Sequence, residues 1–303
     1  MPAAAARAIT AAAGAFLWGE AGFGAERVAW ETLHGPLTSG GLAITHLPSR
    51  AEALLVKQAC WMAAQEGQSA AHLAYWHGSA LSHIYPQLQP PLDLPRRLPN
   101  FMPSLASLLE EVATMGVVDV AALPAATAKA IYSDFVSTPP PPRIESKMAI
   151  DWAIAWPRVW SPGLQAAESD LLFRLLHNVL PVRARIARLD STRSDGHCPH
   201  CPGQQETIDH LFVSCPRVAD IWLGVFFNLL AAFTTVPTNQ ELLRLAFTPC
   251  GRDNDVTATM ASYVSLVWAT HMSDRPPQWA DLILAFSDQP PPYRPLWAFW
   301  RPD

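Results

Sequence analysis

Residues 196–216, GHCPHCPGQQETIDHLFVSCP, hold three cysteines and three histidines in a chain that is otherwise rich in apolar side chains. Cys198 and Cys201 enclose two residues, His210 follows after eight more, and Cys215 after a further four. A C-x2-C turn lets two thiolates face one centre, and a helix after the loop can bring the third and fourth ligands. The stretch ETIDHLFVS reads as that helix. Three thiolate sulfurs and one imidazole nitrogen complete a tetrahedral zinc shell and leave no position for water, so the chemistry is structural Zn2+ binding rather than hydrolysis. His197 and His200 lie beside the first pair and leave a second ligand set open. Pro202 also removes a backbone N–H that could support a thiolate.

Other chemistries lack their residues. No histidine is followed two positions later by glutamate, as a zinc deaminase needs, and none is followed directly by one, which excludes H-E-x-x-H. There is no G-K pair for a phosphate loop and no G-x-S-x-G elbow. Half of the 303 residues are apolar and 16% are charged, a globular composition. The net charge of -5 argues against a surface that is polyanion-binding as a whole and leaves room for a local basic patch. Cys60 and Cys250 stand apart from the cluster, so the five cysteines suggest no disulfide framework and an intracellular setting, with nucleus and cytoplasm both open. The longest uncharged apolar run, residues 221–236, is shorter than the roughly 18 to 20 residues of a membrane span and reads as a buried helix, with no membrane partner.

The elements around the site read as mainly α: helical segments joined by Pro-rich linkers, with a small CCHC zinc-stabilised helical module. The 29 prolines cluster at joints, above all in STPPPPRIESK, where four consecutive prolines cannot continue a helix. The resulting division is 1–87, a helical segment; 88–147, Pro-rich linkers around a short helical piece; 148–236, the zinc module; and 237–303, a C-terminal helical segment. Ser49 and Glu52 have capping-box spacing for a helix that Gly67 would end, with Leu54, Leu55, Trp61 and Met62 facing a core. Leu172, Leu175, Leu176, Val179 and Leu180 form an apolar stripe, and Pro181 suits the first position of the next helix. On that helix Val182, Ile186 and Leu189 share a face, flanked by Arg183, Arg185 and Arg188.

Two stretches resemble the C-terminal portion of non-LTR retrotransposon reverse transcriptases, which ends in a reverse-transcriptase zinc-binding domain. The first carries F-L-W-G at 16–19, V-A-W at 28–30, a G-G-L turn at 40–42, and Ala53, Leu54 and Lys57. The second carries R-L-L-H-x-x-L-P-x-R-x-R-x-A-R from Arg174, then C-x-x-C, E-T-x-x-H-L-F and C-P-x-x-x-x-x-W. VSLVWATHMSDR echoes a later helix of such proteins. The family's polymerase palm, with its paired metal-binding aspartates, has no counterpart: the chain contains no D-D pair.

The resemblance therefore implies a non-catalytic zinc-binding module derived from a retroelement reverse transcriptase. It would bind RNA or DNA weakly through Arg174, Arg183, Arg185, Arg188, Arg193 and Arg217, which surround the zinc loop. The alternative is a structural or protein-interaction remnant that binds no nucleic acid. A separate reverse transcriptase chain is the protein partner the resemblance suggests.

Overall fold

The computed structural model describes residues 3–18, 28–63, 127–135, 150–273, 276–278 and 280–281. Among these residues there are helices and turns and no strand, with one isolated bridge between His197 and Gln205. No described helix is long and apolar enough to cross a membrane. Gly67 and most of the Pro-rich segments lie outside the described residues, as do the side chains of Trp61 and Met62. In chain order the helices are α1 (Ala3–Trp18), α2 (Trp30–Leu33), α3 (Leu47–Ala63), α4 (Ala128–Phe135), α5 (Trp152–Val159), α6 (Ala166–Leu176), α7 (Arg183–Leu189), α8 (Pro216–Leu230), α9 (Asn239–Leu243) and α10 (Asp253–Met272). The chain divides into two compact units, Met1–Ala13 with Ile44–Thr138, and Gly14–Ala43 with Pro139–Asp303.

In the first unit α3 packs on α4 through Ala53, Val56 and Ile131, all buried. Helical spacing predicts Leu54 and Leu55 inside, yet they are 49% and 43% exposed. Four consecutive apolar residues, A-L-L-V, leave the buried pair undetermined by periodicity, and the neighbouring helix selects the outer two. The expected cap at Ser49 is also absent. Proline is tolerated in a first helical turn, so α3 starts at Leu47 and carries Pro48 there. The Ser49 hydroxyl instead pairs with His46 Nδ1 at 2.7 Å.

The second unit is built around α10, which is buried nearly all round from Val256 to Val264. Its Ala, Thr and Ser side chains are small enough for α6 and α8 to approach closely, so it shows little amphipathic patterning. α8 contributes Val218, Ile221, Trp222, Val225 and Leu229, and α6 contributes Leu172, Leu175 and Leu176. Each such side chain removed from water is worth about 1.5–3 kcal/mol. Arg158, buried on α5, donates to the carbonyls of Leu245 and Phe247 at 2.6 and 2.7 Å, pairs with Asp253, and lies over the Phe247 ring. This ties α5 to the start of α10.

The segment before α3 closes on the same unit. Gly40 has a φ of +86°, and a Cβ there would sit 2.5 Å from Trp156; one on Gly41 would sit 1.8 Å from the Gly35 carbonyl oxygen. Glycine is therefore required at both positions of the G-G-L turn. The Gly40 carbonyl accepts a 2.7 Å hydrogen bond from His177 Nε2, whose ring packs against both Trp156 and Phe173. The two stretches of the retroelement resemblance thus touch each other.

Burial lowers the His177 pKa from 6.5 to about 4, against a raising contribution from the Gly40 carbonyl. The folded chain keeps the ring neutral while the unfolded chain protonates it near the ordinary value. Stability from this group is complete above about pH 6.5 and is lost as pH falls toward 4, with a total on the order of 3 kcal/mol. Denaturant titrations of the native chain and of His177→Gln across that window should differ by this slope; parallel pH profiles would refute it.

Candidate metal centre

Cys198, Cys201, His210 and Cys215 are all buried, and one ligand atom from each lies within 4.8 Å of the others. The Cys201 and Cys215 sulfurs are 3.8 Å apart, too far for a disulfide, whose sulfurs sit about 2.05 Å apart. It is the spacing of two sulfurs each about 2.3 Å from one tetrahedral ion, which comes to about 3.8 Å. His210 Nε2 is buried with no hydrogen-bond partner, while Nδ1 lies 3.5 Å from the Ser214 hydroxyl. An unpartnered buried nitrogen beside three free thiols fits a metal ligand, with the second ring nitrogen oriented from behind. The set is compatible with structural Zn2+, and its donors fill the shell.

Local sequence explains the placement. Cys198 N–H donates to Gln204 O at 2.9 Å and Gln204 N–H to Cys201 O at 3.0 Å, which closes the C-x2-C turn. The Thr207 hydroxyl accepts the His210 N–H at 3.1 Å, capping the short helical stretch that follows. That stretch turns wide over His210–Ser214, with Cys215 N–H donating to His210 O at 2.7 Å. In an α-helix of about 3.6 residues per turn, positions five apart point about 140° apart. The i→i+5 turn brings His210 and Cys215 round to one side, a use of π geometry seen at functional sites. On α10, the Tyr263 hydroxyl donates to the Phe212 carbonyl at 2.5 Å and satisfies an acceptor in this wide turn.

Cys215 is also the N-cap residue of α8, where the Arg217 N–H works to lower its thiol pKa. Burial, reinforced by the neighbouring cysteines, nonetheless pushes its thiol up to about 12, and burial raises Cys201 too. Burial lowers His210 and keeps the imidazole neutral, as a ligand must be. Metal binding therefore has to displace thiol protons.

The alternative ligands are engaged elsewhere. His200 Nε2 accepts from Arg217, and His197 Nδ1 faces Asp195 at 3.9 Å. Among the arginines, Arg183, Arg188 and Arg193 are exposed, while Arg174, Arg185 and Arg217 are partly buried. Arg174 pairs with Asp170 on α6. Arg185 donates to Asn178 O at 3.1 Å and Arg188 to Ala184 O at 3.4 Å. Arg193 N–H donates to Asp190 O.

α7 meets the loop differently from the expected apolar stripe. The helix begins at Arg183, two residues after Pro181, and Leu189 is 59% exposed. Its inner face is the small one: Ala184 is buried, and a Cβ on Gly196 would lie 3.2 Å from Ala187 Cβ. The loop needs that close approach, and side chains as large as isoleucine and leucine would block it.

The residue missed in the sequence is Glu206. It is 1% exposed; its Oε1 accepts the Arg183 N–H at 2.9 Å and its backbone carbonyl accepts the Ala184 N–H at 3.2 Å. It thereby serves the first two N–H groups of α7, whose own N-cap Val182 offers no side-chain acceptor. Glu206 N–H in turn donates to Gly196 O at 3.0 Å. Burial raises the Glu206 carboxyl pKa, opposed by the Arg183 N–H and guanidinium.

Residues 145–222 match the family described as zinc-binding in reverse transcriptase. The match covers about a quarter of the chain and includes all four candidate ligands, Glu206 and the six arginines. The description is of a zinc-binding domain, not of a polymerase palm. No curated protein and no solved structure matches the chain.

Purified chain should carry one zinc by elemental analysis. Chelation should open residues 196–215 to amide exchange, because binding free energy of about 10 kcal/mol or more is coupled to folding at such sites; unchanged protection after chelation would refute this. Glu206→Ala should cost about 1–3 kcal/mol and raise exchange at Arg183 and Ala184, with Glu206→Gln milder. Equal exchange in all three proteins would remove the cap from the account.

Proposed function

We propose that this chain is a non-catalytic module derived from a retroelement reverse transcriptase, whose zinc-held loop presents arginines to the phosphates of RNA or DNA for weak binding. The observation that carries it is the double attachment of α7, by Glu206 and by the close approach of Gly196, to the loop holding the four metal-ligand candidates. Fixed in this way, Arg183, Arg185 and Arg188 sit on a short helix beside Arg193 and Arg217. Burial lowers the Arg185 pKa and the nearby Arg188 charge lowers it further. A phosphodiester bridging the two would relieve that repulsion. A polymerase chain acting in trans is the protein partner that fits.

A scaffold-only reading has its own support. Arg174 pairs with Asp170, and Arg185 and Arg188 donate to backbone carbonyls, so these side chains also have structural work.

Binding of labelled single-stranded RNA and DNA across about 50–200 mM salt separates the two. The nucleic-acid reading expects affinity to fall with salt, and Arg183→Gln, Arg185→Gln and Arg188→Gln to lower the slope by about 0.7–0.9 per lost contact. Absent or salt-insensitive binding favours the scaffold.

A further inference from the structure

The end of α6 is closed by two hydrogen bonds that cross past the helix: Asn178 N–H to Leu175 O at 2.9 Å and Val179 N–H to Arg174 O at 3.0 Å. This is the pattern in which the residue after the cap takes a left-handed conformation, and Asn178 does so with a φ of 57°. Asparagine tolerates that conformation better than most residues. The motif fixes where the Asn178 carbonyl points, and that carbonyl accepts Arg185 Nη1 at 3.1 Å.

The residue just before Asn178 is His177, the C-cap of α6, and it is held from outside the helix. Its Nε2–H donates to Gly40 O at 2.7 Å, and its ring lies 4.7 Å from Trp156 and 4.4 Å from Phe173, centroid to centroid. Gly40 reaches that position only because it lacks a side chain that would run into Trp156. The turn itself is tied internally by Leu42 N–H to Leu33 O and Ala43 N–H to Gly35 O, at 3.0 and 2.9 Å. One set of contacts therefore runs from residues 33–43 through His177 and Asn178 to Arg185.

We propose that the Gly40–Gly41 turn controls nucleic-acid affinity from outside the contact surface, with His177 as a positioning residue that fixes the Asn178 carbonyl and through it the Arg185 guanidinium. This rests on the arginine reading above and deepens it, adding a regulatory contact to the same site. A turn that is docked holds Arg185 in one orientation. A turn that is displaced frees the α6 cap and returns to Arg185 the rotamer freedom that phosphate binding must then remove.

The test is a double-mutant cycle on the full zinc-loaded chain, read as affinity for a labelled single-stranded RNA at several salt concentrations. Gly40→Ala and His177→Phe are each made alone, with Arg185→Gln, and with Arg183→Gln. His177→Phe keeps an aromatic ring and removes the nitrogen that donates to Gly40, so it serves where Gly40→Ala does not fold; zinc content and tryptophan fluorescence establish that each variant is folded. Each single change should weaken binding about three- to tenfold and lower the salt slope by up to about 0.7, as for one phosphate contact. Neither should weaken it further once Arg185 is glutamine, while both should retain their full effect beside Arg183→Gln. Equal losses in the Arg185→Gln and Arg183→Gln backgrounds overturn the relay and leave the arginine surface standing. An Arg185→Gln protein that binds like the native chain overturns the relay alone, and a native chain that binds neither RNA nor DNA overturns both.

Discussion

The attachment of Glu206 to the start of α7 is the interaction on which the site's organisation depends. A helix of seven residues is too short to hold itself together, because nucleation costs more than its few internal hydrogen bonds return. Its first N–H groups have no partner within the helix. Glu206 supplies two of those partners, one through its side chain and one through its backbone, from a position that the zinc loop fixes. The helix that bears three arginines is therefore positioned by the metal loop and does not form a separate unit beside it.

The same loop accounts for much of the buried polar chemistry nearby. Three thiols and an imidazole are withdrawn from water, and the raised pKa values of Cys201 and Cys215 record how unfavourable those two thiolates are without a counter-charge. A divalent ion offsets that cost and gives the orphaned His210 nitrogen a partner. Around this set, Thr207 caps the ligand-bearing turn, Tyr263 satisfies its open carbonyl, and buried Arg244 pairs with Asp209 beside His210 at 3.3 Å. Each residue behind the ligands fixes backbone that the ligands alone would leave free, which is the usual division of labour at structural metal sites.

Patterns within a few residues were legible in the sequence. The spacing of Cys198, Cys201, His210 and Cys215 reflects a local turn and a local helix, and the leucine stripe from Leu172 to Leu180 reflects one face of α6 and its extension. Glu206 was not legible, because it caps a helix whose start lies 23 residues earlier and no local motif marks a cap across that distance. The His177–Gly40 contact spans 137 residues. α10 hid its central place for a different reason: a helix buried on all sides has no polar face to give it a period. At Leu54, Leu55 and Leu189 apolar character was present, but the neighbouring element decides which face is covered, and that neighbour is invisible to periodicity.

The separation between Gly40 and His177 also has a consequence for biosynthesis. The residues that complete the second unit's early turn leave the ribosome well after the turn itself. At roughly 5–20 residues per second, the 137 residues take about 7 to 27 seconds. During that interval the Gly40 carbonyl and the tryptophan-lined seat meant for it are not both available, so the nascent chain must carry the turn undocked until α5 and α6 emerge. Translation speed therefore sets how long the turn waits, between the appearance of the glycines and that of the histidine that holds them.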